Sequence, residues 1–141
     1  GNLIKQLAQD EDYDVRKVIA QRDDLLEVDP TGNLIKQLAQ DEDFEIRSEV
    51  ANRKDLLEVD PTGNLIKQLA QDEKFDVRME IANRKDLLQA DPSGEIIRKL
   101  AQDEIKFVRN AVLNRYNIDD LPKLPSNTNE SLLRSYIKYL L

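Results

Sequence analysis

Leu34, Ile35, Leu38 and Ala39 fall at i, i+1, i+4 and i+5. A helix over 30–40 would therefore carry them on one apolar stripe. Asp29 is placed to cap that helix with Pro30 as its first residue, and Thr31 is a competing cap. An acidic turn follows, Asp41-Glu42-Asp43. Asp43 can cap a second helix, predicted from about Phe44 to Asn52, and its charge suits the positive end of the helix dipole. The inward residues of this second helix are Phe44 or Ile46, then Val50 and Ala51. Asn52 suits the helix C-terminus and Arg53 complements the dipole there. Lys54 to Val59 is too short for a full helix; one or two turns, 3₁₀ geometry included, would bury Leu56 and Leu57.

The pattern recurs. Gly1, Gly32, Gly63 and Gly94 open four units, 1–31, 32–62, 63–93 and 94–124, each 31 residues long. Units one and two agree at 23 of 31 positions, as do units two and three, which points to recent duplication or to consensus design. No unit can bury its apolar stripe alone, so stacking unit on unit must make the core. The fourth unit keeps Asp103 and Arg109 but moves its aromatic by one residue, to Phe107, and puts Leu113 where the others have Ala. Pro122 and Pro125 then break the chain before a last amphipathic stretch, about 127–141. Leu132, Leu133, Tyr136, Ile137, Leu140 and Leu141 repeat the first-helix stripe there, and Asn127 with Glu130 makes a capping-box pattern. This stretch is expected to cover the end of the stack, unless further repeats follow Leu141. The start at Gly1, without Met, suggests a processed chain or a piece of something longer.

Composition narrows the function classes. An apolar fraction of 40% beside a charged fraction of 35% suits a thin structure with a large surface. The net charge of -7 makes a nucleic-acid partner unlike the expected one. There is no Cys and no His, so the commonest nucleophile, acid–base group and metal ligand are all missing, and no cofactor is expected. No stretch has the roughly 18 apolar residues of a membrane span, and no signal peptide is visible; the expected location is cytoplasmic.

One motif resembles a known group. It reads Val15-Arg16…Ile19-Ala20-Gln21, Ile46-Arg47…Val50-Ala51-Asn52 and Val77-Arg78…Ile81-Ala82-Asn83, preceded by Leu-Ala-x-Asp and followed by a Leu-Leu pair. This resembles leucine-rich repeat variant proteins, which belong with HEAT and armadillo-type helical repeats. The resemblance covers residues 1 to about 121. It implies an all-α, right-handed α-solenoid of four HEAT/armadillo-like repeats with a C-terminal capping helix. It also implies macromolecular binding, with DNA-repair and chromophore-attaching members a minority. The 31-residue period is longer than is usual for that family, and the chain has no Cys cluster, so no iron–sulfur site is implied.

Two kinds of position remain. The pairs Asp10/Arg16, Asp41/Arg47, Asp72/Arg78 and Asp103/Arg109 recur in all four units. An acid–base or anion-binding array is one reading. A ladder holding unit to unit is the favoured one, because a catalytic site is single whereas a stacking device must recur. The acidic turns lack EF-hand spacing and read as helix caps. Arg22, Arg53, Arg84 and Arg115 could form a basic stripe, or could compensate dipoles and pair with Asp24, Asp55 and Asp86.

The units differ on the outward side of the second helix. Asp14, Lys17, Val18 and Gln21 in unit one become Glu45, Ser48, Glu49 and Asn52 in unit two. They become Asp76, Met79, Glu80 and Asn83 in unit three, and Asn110, Ala111 and Asn114 in unit four. If the stack curves, these side chains line its concave face. The favoured function is non-enzymatic binding of another protein or an extended peptide there, by a monomer. An enzyme accessory related to nucleic acid or chromophores, and a structural or designed repeat with no ligand, are the alternatives.

Overall fold

The computed structural model describes residues 2–122 and Arg134. The capping helix expected at about 127–141 lies outside the described residues, apart from Arg134. All regular structure among the described residues is helical: eleven α-helices and one 3₁₀ helix at Ile118–Asp120. Three kinds of helix alternate. Six- or seven-residue helices are α1 (Asn2–Leu7), α4 (Asn33–Leu38), α7 (Asn64–Ala70) and α10 (Glu95–Leu100). Longer ones are α2 (Tyr13–Ala20), α5 (Phe44–Ala51), α8 (Phe75–Ala82) and α11 (Lys106–Arg115). Single turns are α3 (Leu25–Val28), α6 (Leu56–Val59) and α9 (Leu87–Ala90).

The first helix of a unit starts later than Asp29-Pro30 suggests. Gly32 sits in the left-handed region at φ 76°, turning the chain so that α4 begins at Asn33. Asp29 still serves the helix, from outside it. Its carboxylate accepts the Thr31 hydroxyl at 2.6 Å and the Leu34 N–H at 2.9 Å. These hydrogen bonds, the Thr31 hydroxyl first and then the Leu34 amide, hold the Asp29 carboxyl below its usual range. Asp43 caps α5 by accepting the Glu45 N–H at 2.9 Å.

Leu34, Ile35 and Leu38 of α4 and Ile46, Val50 and Ala51 of α5 are buried in one core. Ile46, not Phe44, is the fully buried residue at the start of α5; Phe44 packs half-buried at its edge. Leu56 is fully buried but Leu57 only partly. Adjacent residues on a single helical turn point about 100° apart, so one turn buries one of them.

The long helices pack in succession, α2 on α5, α5 on α8, α8 on α11. Each of α1, α4, α7 and α10 packs on the long helix that follows it. Burial is least in the first unit: Leu3 is 64% exposed, whereas its counterparts Leu34 and Leu65 are 4% and 5% exposed.

Candidate interaction face

The recurrent Asp and Arg residues meet across consecutive units. Arg47 donates through Nε and Nη2 to the Asp72 carboxylate at 2.7 and 3.1 Å, and through Nη1 to the Asp41 main-chain carbonyl at 2.7 Å. Arg16 does the same with Asp41 and the Asp10 carbonyl, and Arg78 with Asp103 and the Asp72 carbonyl. The intra-unit partner is thus a carbonyl, and the carboxylate partner belongs to the next unit. The side chains are about nine-tenths buried. Burial pushes the Asp103 carboxyl up, but the Arg78 guanidinium and the Ile105 N–H outweigh it and hold the group below its usual range.

Arg22, Arg53 and Arg84 pair with Asp24, Asp55 and Asp86 as the sequence suggests, and Arg53 and Arg84 add a second ladder, to carbonyls of the preceding unit. Arg53 donates Nη1 to the carbonyls of Ala20 and Arg22, both at 2.7 Å, while its other nitrogens hold Asp55. Arg84 does likewise with Ala51, Arg53 and Asp86. Each such Arg satisfies orphan carbonyls at the C-terminus of the preceding long helix. Arg22 holds Asp24 alone. In the fourth unit α11 runs on to Arg115, which is exposed, and Tyr116 takes over, donating its hydroxyl to the Arg84 carbonyl at 2.6 Å. The four Arg residues therefore form no basic stripe: Arg53 is buried, Arg84 is half-buried with its side chain inside, and both are consumed in these bonds.

The variable positions of the long helices occupy a surface that crosses unit boundaries. Lys17 donates to Glu45 at 3.4 Å across one of them. Asp14, Val18, Gln21, Asn52, Asn83, Asn110 and Asn114 are exposed; Lys17, Glu45, Ser48, Glu49, Asp76, Met79, Glu80 and Ala111 are half-buried. Glu49 and Glu80 are electrostatic neighbours, and neither forms a salt bridge among the described residues. Burial, and then the Glu49 charge, push the Glu80 carboxyl above its usual range. The Ser48 hydroxyl oxygen is buried without a hydrogen-bond partner among the described residues. A crevice of about 510 Å³ opens beside Glu49, between Gln21, Asp23, Asn52 and Lys54.

Phe107 belongs to this surface and was missed. It is 64% exposed at the register of Asp14, Glu45 and Asp76, which the 31-residue period alone would have revealed. A larger crevice of about 600 Å³ lies by α7 and α10, but Thr62 and Ser93 on its wall are bound to the capping carboxylates Asp60 and Asp91. Among the described residues no group of three or more Asp or Glu could hold a metal ion, and no helix is long and apolar enough to cross a membrane. No family model matches the chain, and no curated protein or solved structure matches it.

Proposed function

We propose that the chain is a right-handed α-solenoid of four HEAT/armadillo-like units, of the leucine-rich repeat variant kind. We infer that it works as a non-enzymatic scaffold binding an extended peptide, or an extended segment of another protein, across α2, α5, α8 and α11. One contrast carries this reading. The polar groups between units are paired in two ladders, whereas on this face Glu49 and Glu80 form no salt bridge and the Ser48 hydroxyl no hydrogen bond among the described residues; Lys17 feels the Glu49 charge but is bonded to Glu45. Like charges held half-buried side by side cost stability, and a basic residue of a bound segment would offset that cost. Met79, half-buried and next to Glu80 in the chain, offers an adaptable apolar contact.

Selecting peptides from a random library against the full chain tests the proposal. Enriched peptides should contain Lys or Arg, and Glu49→Lys with Glu80→Lys should weaken them at least about tenfold. Amide shifts on binding should fall on α5 and α8. Shifts confined to α4 and α7 would sink the reading.

A further inference from the structure

The crevice of about 600 Å³ by α7 and α10 lies between units three and four, with the end of α9 on its wall. It opens where side chains have become smaller. Ala90 stands where units one and two carry Val28 and Val59, and Ser93 where they carry Thr31 and Thr62. Each exchange deletes methyl groups. Ala70 on the wall is half-buried, whereas its copies Ala8 and Ala39 are 2% and 1% exposed.

The charges on the wall have changed as well. Gln89 replaces Glu27 and Glu58 of the earlier units, and Lys99 replaces Gln37 and Gln68. Most of the charged groups there are already bonded. Asp91 accepts the Ser93 hydroxyl at 2.7 Å and the Ile96 N–H at 3.3 Å, and Lys99 pairs with Glu95 at 3.6 Å. Lys67 remains. It is half-buried, unlike its exposed copies Lys5 and Lys36, and it forms no salt bridge among the described residues.

We propose that this crevice binds a small organic acid, its carboxylate on the Lys67 ammonium and its apolar body against Ala70, Ala90 and Pro92. Small-molecule sites have volumes of roughly 300–1,000 Å³, and this crevice falls among them. A carboxylate would accept a charge-assisted hydrogen bond from the ammonium, and beside an apolar wall that pair is screened less than in open water. A neutral molecule would leave Lys67 without a counter-ion, and an organic cation would be repelled by it. The crevice shares no residue with the long-helix face, so the site stands apart from peptide binding there.

Titrating the full chain with naphthoate, with acetate and with the neutral naphthylmethanol, read by amide shifts, tests this. Naphthoate should shift α7, α9 and α10 and bind at least about tenfold more tightly than either of the others, because only it offers both charge and apolar body. Lys67→Gln should remove the preference for naphthoate over naphthylmethanol. Ala90→Val restores the residue that units one and two carry, so it keeps the fold while closing the crevice, and it should weaken both. No naphthoate binding at about 10 mM, or shifts spread evenly over the lysines of all the units, overturns the proposal. Binding that Ala90→Val weakens and Lys67→Gln does not would make the occupant a neutral apolar molecule and overturns the assignment to an acid.

Discussion

Arg47 makes three charge-assisted hydrogen bonds, two to the Asp72 carboxylate and one to the Asp41 carbonyl. Removing it leaves a buried carboxylate without its counter-ion and a carbonyl without its guanidinium donor. Arg47→Ala should therefore lower the free energy of unfolding by about 3–5 kcal/mol, read by urea denaturation. Arg109 occupies the same place in its unit but holds only a carbonyl among the described residues, so Arg109→Ala should cost about 0.5–1.5 kcal/mol under dilute conditions. Equal costs would show that the carboxylate bonds contribute nothing. Glu80 offers a second test. An acid whose pKa is raised on folding binds its proton more tightly when folded, so ionising it lowers stability. That loss sets in as pH rises from the usual Glu range through the raised folded value. Glu80→Gln should raise the melting temperature at neutral pH and flatten that part of the pH profile. An unchanged profile would place the carboxyl in water.

At the scale of an element, the turn before α4, α7 and α10 depends on a glycine that the sequence marks only as a repeat boundary. Gly63 has φ 80°, and a Cβ there would collide with the carbonyl oxygen of Ala90, at the end of the same unit. Gly94 has φ 79°, but its added Cβ would meet only the Leu121 side chain, at 3.3 Å. Gly94→Ala should cost about 1–2 kcal/mol, the left-handed strain alone. Gly63→Ala should cost clearly more, because backbone must move as well. Thermal melts of the two variants check the order. The long helices were legible because Asp43 caps and Ile46, Val50 and Ala51 keep a helical period. The start of α4 was misplaced because Asp29 and Pro30 imitate a helix N-terminus, and only the backbone turn at Gly32 decides otherwise. The second ladder was invisible because Arg53 reaches Ala20, 33 residues away, and no local pattern records such a reach.

For the whole molecule, pH stability follows from carboxylates that folding holds ionised. Hydrogen bonds, led by those from Thr31 and Thr62, lower Asp29 and Asp60, while Arg78 and an amide lower Asp103 against the effect of burial. A carboxyl depressed on folding contributes stability that is complete above the usual Asp range and is lost as pH falls toward the folded value. The chain should lose its helical signal cooperatively below that range, and Asp60→Asn should remove part of the acid dependence. Circular dichroism between neutral and strongly acid pH is the check. Amide exchange should be fastest in α1, where Leu3 lies open, and slowest in α5 and α8, which are packed on both sides.

By itself the sequence determined the helical class, the 31-residue unit and the residues that tie units together, because periodicity and recurrence are local properties that any copy displays. Tertiary structure decided which partner each tie meets. Arg47 and Asp41 lie six residues apart, yet the Arg takes the carbonyl of that residue and the carboxylate of Asp72. It also decided which ties are completed. Asp10 and Arg109 match their copies in sequence, yet among the described residues Asp10 meets no guanidinium and Arg109 no carboxylate.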